Sequence, residues 1–122
     1  TVTGSGGGSC TGTNGTDVSI PDGGTATSSI TISGCDRNAS STSTVAVNIR
    51  HSWRGDLVID LIAPDGSSYR LKNSNIWDWY PNVNTTYTVN LSSEAANGTW
   101  RLQVRDVYSG DTGYIDTWTL TL

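Results

Sequence analysis

The sequence predicts an all-β fold, a jelly-roll β-sandwich of about eight antiparallel strands. From Asp17 onward, apolar and polar residues alternate with a period of two, and no segment shows the 3.6-residue period of a helix. Turn residues separate the alternating segments, as at residues 64–66 (Pro-Asp-Gly) and 97–98 (Asn-Gly). Because no helix is available to cover a sheet, the apolar faces of the strands must pack on one another.

Six segments alternate clearly, and each is expected to form a strand with one buried and one hydrated face. In chain order, their apolar residues are Ile30 and Ile32; Val45, Val47 and Ile49; Tyr69 and Leu71; Tyr87, Val89 and Leu91; Trp100, Leu102 and Val104; and Trp118, Leu120 and Leu122. Residues 57–62 (LVIDLI) are instead apolar on both faces apart from Asp60. This segment is therefore predicted to be a central strand covered on both sides.

Residues 1–14 differ in composition from the rest of the chain. They are rich in Gly, Ser and Thr and carry too few apolar side chains to offset the entropy of ordering, so we expect a linker. A linker at this position leads us to expect another domain before it. Residues 15–122 are expected to form one domain, large enough to bury roughly two thirds of its unfolded surface.

Charge and composition exclude several classes of partner. The net charge is −4, with 7 Lys+Arg against 11 Asp+Glu and no basic run, so neither nucleic acid nor an anionic membrane is an expected partner. No apolar run approaches the roughly twenty residues that cross a bilayer. The abundance of Thr, Ser, Asn and Gly is typical of secreted β domains, and we expect an extracellular monomer.

Cys10 and Cys35 are the only cysteines. In a secreted domain they are expected to form a disulfide, which would stabilise the fold by about 3 kcal/mol on chain-entropy grounds. The alternative is two free thiols in a reducing compartment, which the composition argues against.

The chain has a single histidine, His51, and no Gly-x-Ser-x-Gly elbow. His51 shares the strand face of Val47 and Ile49, so it is predicted to be a buried structural histidine and the chain to be non-catalytic. Residues 54–56 (Arg-Gly-Asp) suggest integrin binding. We interpret them as a tight turn in which Asp56 bonds the backbone or pairs with Arg54.

Carboxylates collect near the ends of the predicted strands. The candidate metal ligands are Asp56, Asp60, Asp106, Asp111 and Asp116. Asp106 and Asp116 are each predicted on the apolar face of their strands, and an inward carboxylate needs a cation or an arginine. The sequence therefore predicts one structural Ca²⁺. The alternative is a network with Arg54, Arg101 or Arg105.

Residues 75–82 (NIWDWYPN), here called the aromatic loop, place Trp77, Trp79 and Tyr80 between two predicted strands. Tryptophan and tyrosine rings stack on sugars and anchor protein interfaces, so the loop is a candidate binding surface. The alternative is that the three rings cap the open end of the sandwich.

Four motifs occur in order along the chain. They are His-x-x-x-Gly-Asp-Leu from His51, Ala-Pro-x-Gly from Ala63, Gly-x-Trp-x-Leu-x-Val-x-Asp from Gly98, and Asp-x-Gly-x-Ile-x-x-Trp-x-Leu from Asp111. Together they resemble the P domain, or Homo B domain, of proprotein convertases and secreted bacterial proteases. The resemblance spans about Asp17 to Leu122 and is to the actinobacterial type.

The resemblance implies a non-catalytic jelly roll that follows a protease or aminopeptidase domain, supports its folding, stability and calcium dependence, and in some members contacts substrate. It implies that nine positions define the fold: His51, Gly55, Asp56, Leu57, Gly98, Trp100, Asp106, Gly113 and Trp118. The sequence departs from the convertases of eukaryotes by carrying the aromatic loop in place of a long segment. This departure argues against a convertase-type contact between domains.

We therefore predict the C-terminal P domain of a secreted bacterial protease, with the catalytic domain of the same chain as partner and protein substrate as a further partner. The rival prediction is a carbohydrate-binding jelly roll that uses Trp77, Trp79 and Tyr80 as its platform. An autonomous enzyme is the third and least supported class.

Overall fold

A computed structural model of the chain describes residues 10–122, and these residues form two antiparallel sheets. The strands are β1 (Thr11–Asn14), β2 (Val18–Ile20), β3 (Thr25–Ile32), β4 (Ser43–His51), β5 (Leu57–Ile62), β6 (Ser68–Lys72), β7 (Val83–Val89), β8 (Gly98–Asp106) and β9 (Gly113–Thr121). A 3-10 turn, Arg54–Asp56, joins β4 to β5. The predicted all-β sandwich is confirmed. Within the described part of the chain, no helix has the length and apolar character that crossing a membrane requires.

The first sheet has the order β1-β9-β4-β7, with β2 also paired to β9, and the second has the order β3-β8-β5-β6. Neighbours in the sheets are mostly distant in sequence, as where β4 pairs with β9 and β3 with β8. The connections therefore cross from sheet to sheet, and the two inner faces enclose one apolar core.

Two tryptophans fill the centre of the core. Trp100 and Trp118 are both buried, so each indole N–H needs an acceptor. Trp100 Nε1 donates to the carbonyl of Ala96 at 2.9 Å, and Trp118 Nε1 donates to Oγ of Ser28 at 2.9 Å. Both rings are thus held by packing and by a hydrogen bond.

The start of the domain differs from the sequence prediction. Residues 1–9 of the expected linker lie outside the described residues, but Thr11–Asn14 form β1 and pair antiparallel with β9. Ladder hydrogen bonds, a side-chain bond between Thr13 and Thr119 (2.9 Å) and the tether at Cys10 hold this strand. The prediction of a linker was based on low apolar content, but backbone pairing orders residues 11–14 as a strand. The described residues therefore form nine strands.

Strand β5 is central, as predicted, but it is covered on its outer face in an unexpected way. Leu57, Ile59 and Leu61 point into the core, whereas Val58 and Asp60 face outward and are still buried. On this outer face Asp60 is covered by a side chain of the neighbouring strand β6 and not by a third layer. Arg70 Nε lies 2.5 Å from Oδ1 of Asp60.

The two ends of the sandwich are closed by different chemistry. At the disulfide end, Cys10 is bonded to Cys35 and accepts a backbone hydrogen bond from Leu122. Strand β4 begins near this end and runs nine residues, about 30 Å, to His51. The opposite end, named here the histidine end, holds the polar groups described next.

Candidate functional site

Three polar side chains are buried together at the histidine end. His51 closes β4, Asp56 lies in the 3-10 turn before β5, and Asp106 ends β8. One nitrogen or oxygen of each lies within 4.8 Å of the others. The group joins the first sheet, through β4, to the second sheet, through β5 and β8.

His51 is hydrogen-bonded through both ring nitrogens. The backbone N–H of Trp53 donates to Nδ1 at 3.1 Å, so Nδ1 must be the acceptor nitrogen. The proton of the neutral ring is therefore on Nε2, which lies 3.2 Å from Oδ2 of Asp106 and donates to it. With both nitrogens engaged, the ring is not placed to activate a serine.

The two buried carboxylates, Asp56 and Asp106, differ in their hydrogen-bond partners. Asp106 accepts from His51 and, through Oδ1, from the backbone N–H of Tyr108 at 3.2 Å. Asp56 Oδ2 is buried without a hydrogen-bond partner among the described residues. A buried acceptor in this state costs about 1–3 kcal/mol, more if charged, so the oxygen calls for a ligand or a proton.

A third carboxylate, Asp111, approaches from the β8–β9 loop. It raises the pKa of the neighbouring Asp56 and accepts from Oγ of Ser52 at 2.6 Å. Asp111 is only half-buried, which leaves the cluster open to solvent on this side. We call Asp56, Asp106 and Asp111 the carboxylate cluster.

Among the described residues, no arginine or lysine forms an ion pair with the carboxylate cluster. Burial, the hydrogen bond to Asp111 and the charges of Asp106 and Asp111 raise the pKa of Asp56 to about 6, against a smaller lowering by His51. Among residues 10–122 the ion pairs made by arginine are Arg54–Asp78 and Arg70–Asp60. The predicted alternative was a network with Arg54, Arg101 or Arg105; of these, Arg54 pairs with Asp78, and none pairs with a candidate metal ligand among the described residues.

Two predicted metal ligands lie elsewhere. Asp60 is inside β5 rather than at its end, and Arg70 neutralises it on the outer face. Asp116 is the extra residue of a β-bulge: Asn48 pairs with Thr117 and Ile49 with Ile115, so Asp116 is skipped. The bulge reverses the predicted facing, which buries Ile115 and leaves Asp116 half-buried.

The Arg-Gly-Asp segment is folded inward. A Cβ on Gly55 would lie 2.1 Å from the carbonyl oxygen of Asn75 and 2.4 Å from that of Asp78, so only glycine fits. Arg54 Nε contacts both carboxylate oxygens of Asp78, at 3.0 and 2.9 Å, and does not pair with Asp56 as expected. Because Gly55 and Asp56 are buried, the tripeptide is not presented for adhesion.

The same contacts hold the aromatic loop against the histidine end. Arg54 N–H donates to the carbonyl of Tyr80, and the Arg54 guanidinium lies 5.3 Å from the centre of its ring. Trp79 stacks on Tyr80 with ring centres 4.5 Å apart. Trp77, Trp79 and Tyr80 are nevertheless 84%, 60% and 54% exposed, so they do not cap the core as the alternative prediction held.

Two contributors to the site were not predicted from the sequence. Ser52 binds Asp111 through its hydroxyl, and the backbone N–H of Trp53 sets the protonation of His51. Their position next to His51 was the only available signal, since a backbone donor carries no mark in the sequence.

The fold and site define a class of protein: a two-sheet β-sandwich domain closed by a disulfide at one end and by a buried His–Asp pair at the other. The chain belongs to the proprotein convertase P-domain family, whose model matches residues 40–122. The family resemblance predicted from the motifs is confirmed.

The chain is similar to segments of longer bacterial proteins. It is 54% identical over 121 residues to the transglutaminase-activating metalloprotease of Streptomyces mobaraensis, which covers 99% of this chain and 16% of that protein. It is 50% identical over 110 residues to leupeptin-inactivating enzyme 1 of Streptomyces exfoliatus, covering 88% of this chain and 25% of that protein. The chain thus spans a quarter or less of these relatives.

A solved structure supports the fold. The chain superposes on a serine protease of Aeromonas sobria with a TM-score of 0.71 and 20% identity, covering 90% of this chain and 26% of that one. At this identity the likeness bears on the fold alone.

Proposed function

We propose that this chain is the non-catalytic C-terminal domain of a secreted bacterial protease and supports the folding and stability of a catalytic domain on the same polypeptide. One observation carries the proposal: most of this chain matches a small part of longer proteins that are named as proteases. Most of each relative lies outside the matched segment, and we assign the proteolytic chemistry to that part.

The described residues support a non-catalytic role. Both ring nitrogens of His51 are engaged by Asp106 and Trp53, so this histidine does not serve as a general base for a nucleophile. The domain has its own apolar core and its own disulfide, which suit an independently folding module.

An extracellular location also belongs to the proposal. Disulfides such as Cys10–Cys35 persist in oxidising surroundings. A further relative, 36% identical over 104 residues, is named the extracellular basic protease of Dichelobacter nodosus.

The aromatic loop is proposed to contact protein substrate. It lies at the histidine end, because Asn82 N–H donates to the carbonyl of His51, whereas the chain enters the fold at Cys10. The two ends are about 30 Å apart along β4. A domain attached before Cys10 would have to fold back to cover the loop, so the exposed rings are better placed to meet a substrate than their own catalytic domain.

Calcium completes the proposal. A domain whose stability depends on Ca²⁺ would transmit that dependence to the enzyme it supports. The buried oxygen of Asp56 that has no hydrogen-bond partner among the described residues supports this part of the proposal.

Truncation of the parent protease tests the stabilising role. The parent chain is produced with and without residues 10–122, and yield and the temperature of half-inactivation are measured. We expect lower yield and a temperature several degrees lower after truncation. Equal yield and equal inactivation would contradict the proposal, as would hydrolysis of casein or peptide amides by the isolated domain.

Substitution Trp77→Ala in the parent chain tests the aromatic loop. We expect KM for casein to rise severalfold while KM for a short peptide amide is unchanged, because only a large substrate reaches the loop. Tyr114→Ala, at an exposed aromatic in β9, is the matched control and should alter neither value.

The rival carbohydrate-binding role uses the same loop, since Trp77 presents an accessible ring face. Retention of the domain on a polysaccharide gel, abolished by Trp77→Ala while KM for casein stays unchanged, would support that role instead.

A further inference from the structure

The unpartnered oxygen of Asp56 is the starting point. Asp56 is buried, and its Oδ2 lies in the carboxylate cluster without a donor among the described residues. Every other described buried side-chain nitrogen or oxygen has a hydrogen-bond partner. Because this unsatisfied oxygen lies among acidic side chains, it indicates that a positively charged species binds there.

The charges around Asp56 lead to the same conclusion. The carboxylates of Asp56 and Asp106 lie together, and Asp111 lies beside Asp56. Among the described residues, the basic side chain in contact with Asp106 is His51, whose Nδ1 accepts from the N–H of Trp53. Lys72, the only lysine, contacts the carbonyls of Leu57 and Asn73 instead. No lysine or arginine among the described residues therefore forms an ion pair with the cluster, and burial of like charges without a paired cation is unfavourable.

The protonation of His51 decides which metals fit. A metal on Nε2 would require the ring proton to move to Nδ1, but Nδ1 faces an N–H donor that leaves no room for a proton. The remaining donors are carboxylate oxygens. Oxygen ligands select hard cations and disfavour Zn²⁺, which takes nitrogen and sulfur.

We propose that Asp56, Asp106 and Asp111 bind one Ca²⁺ ion, and that His51 does not bind the metal but positions Asp106 for it. This inference names the ligands for the calcium dependence in the proposed function. Ca²⁺ accepts six to eight oxygens in variable geometry, whereas Mg²⁺ demands a strict octahedron, and flexible coordination suits ligands from three separate segments. Half-buried Asp111 provides the solvent-facing side through which the ion enters.

The site has a structural consequence. Asp56 begins the segment leading to β5, Asp106 ends β8, and Asp111 lies before β9. A cation held by all three ties the second sheet to a loop that leads into the first. The histidine end would then be cross-linked by a metal as the disulfide end is cross-linked by Cys10 and Cys35.

The test uses the 122-residue chain and Ca²⁺ itself. Calorimetric titration at pH 7.5 is expected to show one Ca²⁺ per chain, and the thermal midpoint is expected to be about 5 °C or more higher in millimolar Ca²⁺ than in EGTA. Mg²⁺ and Zn²⁺ are titrated in parallel and should bind more weakly.

Asp56→Asn separates a ligand from a merely structural residue. Asparagine resembles the protonated acid, so the variant should fold and its midpoint in EGTA should equal or exceed that of the unmodified chain. Its response to Ca²⁺ should be lost. Asp36→Asn removes the same charge at an exposed position and should keep the full response.

Several results would overturn the proposal. One is the absence of Ca²⁺ binding by the unmodified chain, and another is an equal response in Asp56→Asn. Tighter binding of Zn²⁺, with a change in the ¹⁵N shifts of His51, would make His51 a ligand and overturn the all-oxygen site.

Failure of this site and failure of the proposed function are distinguishable. Calcium binding by the isolated domain, combined with no effect of truncation on the parent protease, would leave the site in place and reject the stabilising role. If truncation lowers the stability of the parent protease but the isolated domain binds no calcium, the stabilising role is kept and the calcium site is rejected.

Discussion

Nε2 of His51 lies 3.2 Å from Oδ2 of Asp106, and both side chains are fully shielded from solvent. The two residues are 55 positions apart and belong to different sheets, so the contact joins the layers of the sandwich at the histidine end. Because Nδ1 accepts from the N–H of Trp53, Nε2 is the nitrogen that donates to the carboxylate of Asp106.

Loss of this hydrogen bond should destabilise the domain. In His51→Ala, Asp106 loses a donor and a cavity forms, so we expect the free energy of unfolding to fall by about 3 kcal/mol. His51→Gln keeps a side-chain N–H and should lose clearly less. Urea denaturation measures both, and equal losses would show that packing alone matters at this position.

The stability of the metal-free domain should depend on pH through Asp56. Its pKa is about 6 in the folded state against 3.8 for the ordinary group, so between these values the folded state holds more protons. The free energy of unfolding therefore falls as pH rises from about 4 to about 6 and levels off above that. Denaturation of the unmodified chain and Asp56→Asn in metal-free buffers isolates this contribution, and parallel pH profiles would contradict it.

Gly55 should tolerate no side chain. A Cβ there would meet two backbone carbonyls, those of Asn75 and Asp78, at 2.1 and 2.4 Å. Backbone cannot move aside as a flexible side chain would, so Gly55→Ala should cost about 3 kcal/mol or more. Gly15→Ala is the control, since its Cβ would approach nothing nearer than 3.9 Å. A thermal midpoint unchanged in Gly55→Ala would refute the close approach.

The disulfide between Cys10 and Cys35 should stabilise the domain. Reduction, or the double substitution of Cys10 and Cys35 by serine, should lower the free energy of unfolding by about 3 kcal/mol, because the unfolded chain regains the entropy of an open loop. Denaturation with and without dithiothreitol measures the loss. Strand β1 depends on the Cys10 tether, so hydrogen exchange of its amides should rise most.

Much of the fold could be predicted because alternation is local. The period of two identified the strands from β3 to β9 other than β5, which was identified by its continuous apolar run, and it placed Trp100 and Trp118 in the core. It could not identify β1, whose stability comes from pairing with a strand more than 100 positions away. This segment was predicted to be a linker because it has few apolar residues. The number of apolar residues predicts how much surface a segment buries, but not whether its backbone pairs with another strand.

The site was predicted in part. Asp56 and Asp106 lie together and Asp111 lies beside Asp56, whereas Asp60 and Asp116 lie elsewhere; their role as metal ligands stays a prediction. Arg70 lies across the β5–β6 pair from Asp60, and a bulge turns Asp116 away from the core. Both outcomes depend on strand register, and a shift of one residue reverses which face a side chain occupies.

By itself, the sequence determined the fold class, the pair of cysteines, the buried histidine and the family, since each depends on residue types at short spacing. Only the tertiary structure decided which carboxylates converge, which arginine neutralises which aspartate, and which nitrogen of His51 carries the proton. Those outcomes depend on segments far apart in the chain and on backbone donors such as Trp53 N–H, whose positions exist only once the sheets have paired.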